Sequence, residues 1–143
     1  MNESTVGRTK DAGWQIGVSR TMPVDLDDVW SYLISTEGLA VWLGHDLNTP
    51  LKVADKYRTA DGTQGEIRSL RPKDRIRLTW QPPDRPDDAT VQIAVTPAAT
   101  GCTIRFHTER LYDGNGREHM LAHWRAIADA IEDDLTTRSL QHI

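Results

Sequence analysis

Cysteine and phenylalanine are nearly absent from this 143-residue chain: each occurs once, as Cys102 and Phe106. A lone cysteine excludes an internal disulfide and gives no sign of an oxidising compartment. A catalytic thiol needs a base and an electropositive setting. Neither accompanies Cys102 in the sequence, so it is expected to be a small residue packed at a strand start. An excess of positive charge is lacking too, because 21 acidic residues outnumber 17 basic ones for a net charge of −4. Arg68, Arg71, Lys73, Arg75 and Arg77 alternate with other residue types around a turn rather than forming a run, which argues against nucleic acid as a partner. No stretch approaches the ~18 consecutive apolar residues of a membrane span, and the opening MNESTVGRTKDAG has no apolar signal core, so the expectation is a cytoplasmic protein without membrane insertion. A glycine-rich phosphate loop and a serine in a strained, glycine-flanked turn are also missing. No catalytic residue, metal ligand set or cofactor is therefore assigned. Catalysis by acids and bases of a pocket stays open, since tuning by burial leaves little trace in sequence.

What is present is a chain of one domain's length, 38% apolar and 27% charged, long enough to bury a core unaided. Its longest periodic stretch is Asn115–Thr137. There Met120, Trp124, Ile127, Ile131 and Leu135 recur every three or four residues, forming one stripe of an amphipathic helix of about six turns. Asn115 with Glu118 three residues on reads as a capping box at its start.

Upstream the pattern is mostly strand. Residues 1–12 read as a flexible polar arm, residues 13–138 as a single domain and 139–143 as a tail. Trp14, Ile16 and Val18 alternate with polar or small residues until Pro23. Asp25 and Asp28 suit a helix cap and first turn, and Leu26, Val29, Trp30 and Leu33 follow at helical spacing. Gly38 is expected to interrupt, with a second helical turn over Leu39–Leu43. Leu51–Thr59 and Gln64–Leu70 flank Ala60-Asp61-Gly62, a hairpin signal. Arg75–Gln81, a strand through Val91, Ile93 and Val95 stopped by Pro97, and a last strand placing Cys102, Ile104, Phe106 and Thr108 on one face complete the order. The expected class is α+β: a six-stranded curved antiparallel sheet wrapped around the long C-terminal helix, with two short helices after the first strand. Such curvature leaves space between sheet and helix, the natural place for a ligand.

Several phrases resemble the START-like, or SRPBCC, superfamily with its helix-grip fold, and more narrowly the activator of Hsp-90 ATPase homologue group. They are Val18-Ser19-Arg20-Thr21 leading to Val29-Trp30, then Leu39-Ala40-Val41-Trp42-Leu43-Gly44, Gly65-Glu66-Ile67, Pro72, Leu78-Thr79-Trp80, Gly101-Cys102-Thr103-Ile104 and Thr108-Glu109, with Trp124 in the long helix. The resemblance covers about residues 14–136. Relatives often carry two tryptophans where this chain has Trp42-Leu43, and histidine where it has Thr108. The resemblance implies a pocket rather than a reaction. It implies a non-enzymatic domain binding a small hydrophobic or amphipathic molecule, lipid included, as monomer or homodimer. A stress- or chaperone-associated module with a protein partner is the alternative, and a cyclase- or hydrolase-like enzyme using the same cavity a further one.

The candidate cavity lining is Trp42, Trp80, Ile93, Phe106, Thr108, Met120, His123, Trp124 and Ile127. The tryptophans can be core or cavity wall, and sequence leaves both open. His119 and His123 have the i, i+4 spacing of metal ligands. Met120, however, stands where zinc proteases place glutamate, and no third ligand is evident. His123 falls at the rim of the buried stripe, as a polar contact at a pocket mouth or an ordinary boundary residue, and His119 mostly in water. The Thr108 hydroxyl points inward, to a ligand's polar end or, preferably, to a neighbouring backbone group. Glu66, Arg68 and Arg110 are candidate polar groups at the entrance, and Glu132-Asp133-Asp134 reads as a solvated face.

Overall fold

The computed structural model describes residues 8–9, 13–85, 87–111 and 114–141, with side chains over 16–85, 87–109 and 118–138. Strand β1 (Arg8–Thr9) is followed by β2 (Gly13–Met22), then the helices α1 (Leu26–Leu33) and α2 (Thr36–Trp42). The strands β3 (Lys56–Arg58), β4 (Gln64–Arg71), β5 (Arg75–Trp80), β6 (Ala89–Ala98) and β7 (Gly101–Leu111) lead to the long α3 (Gly114–Gln141). The sheet order is β1-β2-β7-β6-β5-β4-β3, and every pairing is antiparallel. Strands β3 to β7 form the expected meander, and β2 closes onto β7. The two-residue β1 is an addition to the six strands expected, pairing Arg8 and Thr9 with Trp14 and Gly13. The rest of the expected N-terminal arm, and residues 142–143 of the expected tail, lie outside the described residues.

The sheet has one apolar and one polar face because β5, most of β6 and the described part of β7 alternate strictly. Ile76, Leu78 and Trp80 of β5, Ala89, Val91, Ile93 and Val95 of β6, and Cys102, Ile104, Phe106 and Thr108 of β7 are all buried. The residues between them are half-buried or exposed. Register shifts between Trp14 and Ile16 on β2 and between Ile67 and Ser69 on β4 bend the strands, as β-bulges do. Helix α3 lies across β2 and β7 and touches α2. Its stripe Met120, Trp124, Ile127, Ile131 and Leu135 is buried throughout, joined by Ala128. Each large apolar side chain so buried contributes about 1.5–3 kcal/mol.

Several local expectations need correction. Gly38 lies inside α2 instead of interrupting it. The break falls at Ser35, whose Oγ accepts from the Gly38 N–H at 3.0 Å and donates to the Tyr32 carbonyl at 2.7 Å. Glycine is needed there for space, because a Cβ would stand 1.8 Å from the Tyr32 carbonyl oxygen. The strand expected over Leu51–Thr59 contracts to Lys56–Arg58, since the chain turns at Ala54 with φ of 75°. Pro97 does not stop β6. The Val95 N–H points away from β7, to the Asp74 carbonyl at 2.9 Å. Pro97, two residues on, faces the same way but past the start of β5, where no ladder bond is lost. Helix α3 starts at Gly114, so Asn115 sits within the first turn rather than ahead of it.

The acidic run of α3 is not simply solvated. Glu132 and Asp129 accept from the Arg20 guanidinium at 2.8 and 2.7 Å, and Asp134 accepts from the Tyr32 hydroxyl at 2.6 Å. Burial and the Asp134 carboxylate push the Tyr32 phenol well above its ordinary range. Cys102 is fully buried, and burial raises its thiol pKa.

Candidate ligand-binding cleft

Between the end of α2, the tip of the β3–β4 hairpin, the β5–β6 loop and the first half of α3 lies a cleft of about 450 Å³. Four short segments build its walls: Ala40–His45, Ala60–Thr63 without Gly62, Trp80 with Pro82, Asp84 and Arg85, and His119, Met120, His123 and Ile127 of α3.

Each wall is fixed by local chemistry. Trp42 is held by its indole N–H, which donates to the Leu33 carbonyl at 2.8 Å and so ties α2 to the end of α1. Gly44 follows at φ of 153°, and a Cβ on it would meet Thr59 Cβ at 2.6 Å, so α2 and the hairpin approach closely there. The Ala60 N–H donates to the His45 carbonyl at 3.0 Å, joining the same two walls. At the hairpin tip Asp61 accepts from the Thr59 hydroxyl at 2.5 Å and the Thr63 N–H at 3.0 Å. The Thr59 bond, then that of Thr63, holds its carboxyl below the ordinary aspartate range. The Gln81 side-chain amide donates to the Arg85 carbonyl at 3.0 Å, shaping the loop that brings Arg85 over the cleft.

Aromatic rings continue from the cleft wall into the core behind it. Trp80 lies 5.6 Å from His123 and 5.7 Å from Trp124 between ring centroids. Phe106 stacks on Trp124 at 5.3 Å and 18°. His123 is half-buried, and burial, with the nearby His119 second, lowers its pKa from the ordinary 6.5. His123 Nε2, Trp124 Nε1 and Thr108 Oγ1 are buried without a hydrogen-bond partner.

Of the sequence candidates, the structure brings Trp42, Trp80, Met120, His123 and Ile127 to the cleft wall. Ile93, Phe106, Thr108 and Trp124 are not in that wall. They are fully buried on the sheet's inner face or against it. The Thr108 hydroxyl does not bond a neighbouring backbone group, contrary to the preferred expectation. Glu66 and Arg68 pair with each other at 3.4 Å away from the cleft, and the Arg110 side chain lies outside the described residues. His119 is exposed, as its helical angle implies, yet it borders the cleft beside His123. Among the described residues no group of three His, Cys, Asp or Glu side chains stands ready to hold a metal. His45, Asp61, Asp84 and Arg85 were missed as cleft residues, because they sit on loops whose course periodicity does not describe. The one available signal was that these loops flank Thr59 and Trp80 at strand ends.

Residues 23–135 match the family described as Activator of Hsp90 ATPase homolog 1-like protein. The chain belongs to this family. No curated protein matches it. Solved structures similar to this Hsp90-activator-like chain share the same helix-grip fold. DynU16, encoded in the dynemicin biosynthetic locus, superposes with a TM-score of 0.78 at 21% identity, over 86% of this chain and 47% of its own. This chain thus spans about half the length of DynU16. CalU16 of Micromonospora echinospora gives 0.73 at 17% identity, covering 87% of this chain and 77% of its own. Aha1 of Colwellia psychrerythraea, solved as a dimer, gives 0.70 at 15% identity, covering 85% and 95%.

Proposed function

We propose that this domain binds a small hydrophobic or amphipathic molecule in the cleft beneath α3, as a binding protein rather than a catalyst. The observation that carries this reading is the cleft itself. Its ~450 Å³ falls within the range of small-molecule sites, and it combines apolar walls (Trp42, Trp80, Met120, Ile127) with polar groups (His45, Asp61, Asp84, Arg85, His119, His123). A core filled solidly to α3 would have supported a scaffold instead. A single buried thiol agrees with a cytoplasmic setting, and no described helix is long and apolar enough to cross a membrane.

The alternative, a chaperone-associated module docking a protein, draws on the family name and on the dimeric Aha1 structure. An extended apolar docking patch does not support it, because Val53 is the one large hydrophobic side chain exposed among the described residues. The test is a titration of fatty acids, aromatic hydrocarbons and polycyclic ketones, followed by tryptophan fluorescence and backbone amide shifts. Binding moves the amides of residues 40–45, 80–85 and 119–127. If none of these compounds moves any of them, ligand binding in the cleft is refuted.

A further inference from the structure

Three of the buried polar side-chain atoms that lack a hydrogen bond lie on residues linked by ring contacts and strand register behind the cleft. His123 and Trp124 are consecutive on α3, with ring centroids 4.8 Å apart. Trp124 stacks on Phe106, and Thr108 is two residues beyond Phe106 on the same inward face of β7. Thr108 pairs with Val91, and Trp80 pairs with Ala89, the next inward residue of β6, so Thr108 sits at the end of the sheet where Trp80 walls the cleft. Trp124 Nε1, Thr108 Oγ1 and His123 Nε2 are all buried, and none bonds another. Buried polar groups are nearly always satisfied, and leaving one unpaired costs more than a made bond contributes. One such atom on the cleft wall, at His123, with two more beneath it, at Trp124 and Thr108, marks a point built for something else.

The donor inventory says what that something is. An indole N–H only donates, a threonine hydroxyl can donate, and a neutral imidazole nitrogen can donate in one tautomer. Their common complement is an oxygen acceptor with two lone pairs. A full negative charge does not fit, since burying a carboxylate demands a counter-charge. The rings contacting Trp124 are Phe106, Trp80 and His123; the cationic Arg85 belongs to the loop at the cleft edge. Burial also disfavours the charged form of His123. The barrier between cleft and polar point is the seam of Trp80 and His123, whose rings are tilted at 41° rather than stacked. No hydrogen bond tethers His123 at Nε2.

We infer that the cleft selects ligands bearing a neutral carbonyl oxygen on an apolar body, with that oxygen received by Trp124 Nε1–H, the Thr108 hydroxyl and His123 Nε2. This rests on the proposed binding role and names its ligand class. The test compares 2-acetylnaphthalene with 2-isopropenylnaphthalene, a near-isostere in which a methylene replaces the oxygen. The ratio of their dissociation constants is measured in the wild type, Thr108→Val and Trp124→Phe, which cancels the difference in probe hydrophobicity. Each variant is expected to weaken the ketone roughly three- to tenfold relative to the hydrocarbon. The Trp124 indole N–H resonance, assigned by its loss in Trp124→Phe, shifts downfield with the ketone alone.

Because its hydroxyl has no partner, Thr108→Val leaves the melting temperature of the free protein unchanged or raises it by a few degrees. A fall would mean that the hydroxyl serves the fold, and would overturn the inference. Parallel changes for both probes, or an indole shift common to both, would leave a trapped water as the occupant and also overturn it. Binding of the hydrocarbon but not the ketone does the same. In all these cases the binding role survives. That role falls only if neither probe nor the wider panel binds.

Discussion

The His123 ring stands at 84° to that of Trp124, its neighbour on α3, with centroids 4.8 Å apart. Consecutive helical residues point about 100° apart, so one ring borders the cleft while the other enters the core. That division makes His123 half-buried, and burial lowers its affinity for a proton, with His119 adding a smaller push the same way. His123 faces Trp80 and Trp124, with His119 on its own helix and Asp61, Asp84 and Arg85 across the cleft.

The consequence for stability follows from linkage. With a folded value below the ordinary 6.5, the unfolded chain binds more protons between the two values, so stability rises with pH through that window. It is complete above about 6.5 and is lost as pH falls toward and through the folded value. The urea midpoint should therefore drop on acidification below 6.5, and His123→Gln should flatten that part of the profile. An imidazole titration by NMR with a midpoint above 6.5 for His123 would refute this.

Gly38→Ala should destabilise the domain by more than about 2 kcal/mol, although alanine is the better helix former. The added Cβ would meet the Tyr32 carbonyl oxygen at 1.8 Å and the carbonyl carbon at 2.7 Å, both backbone atoms that cannot swing aside. Chemical denaturation of the purified variant decides this. A gain of a few tenths of a kcal/mol, as expected for an open helical position, would show that α1 and α2 separate easily.

Gly38 also illustrates which parts of the architecture sequence could reveal. Its role depends on the distance to another helix, and nothing in local pattern distinguishes that from a helix breaker. The stripe from Met120 to Leu135 was legible because α3 buries one face over its whole length. So were the inward sets of β5, β6 and β7, where period-two alternation holds over residues 75–80, 89–96 and 101–109. The cleft was legible only in part. Trp42, Trp80, Met120, His123 and Ile127 lie on regular elements near its wall, but Ile93, Phe106, Thr108 and Trp124 share the same apolar phase and lie beneath it. Periodicity reports which side faces inward, and says nothing of whether that inward side meets another side chain or a void. The hairpin tip and the Pro82–Arg85 loop carry no period at all.

Arg20 bridges Asp129 and Glu132, which lie three residues apart on one face of α3 and so fit a single guanidinium at 2.7 and 2.8 Å. Those carboxylates raise the Arg20 pKa further. Asp129 is 67% exposed and Glu132 33%, so water screens much of the attraction. Arg20→Met should cost only about 1 kcal/mol at low salt and less at about 1 M salt. Unfolding curves at the two ionic strengths measure it. A cost unchanged by salt would assign the effect to lost packing of the arginine stem.

Trp42 has two functions that a pair of substitutions separates. Its ring lines the cleft, and its Nε1–H satisfies the Leu33 carbonyl at 2.8 Å between two buried residues. Trp42→Phe keeps an aromatic wall but deprives that carbonyl of its indole donor, which should cost about 1–3 kcal/mol. Trp42→Leu removes both donor and ring surface and should cost more, toward the ~3–5 kcal/mol of large-to-small core changes. If the hydrogen bond fixes the wall, the phenylalanine variant also weakens ligand binding in the cleft, because α2 is no longer tied to the end of α1. If the ring alone matters, phenylalanine binds ligand like the wild type and only leucine fails. Denaturation midpoints and titration of one hydrocarbon probe in all three proteins distinguish the two. Equal stability of wild type and Trp42→Phe would show that the Leu33 carbonyl finds water instead, and that the α1–α2 corner holds by packing.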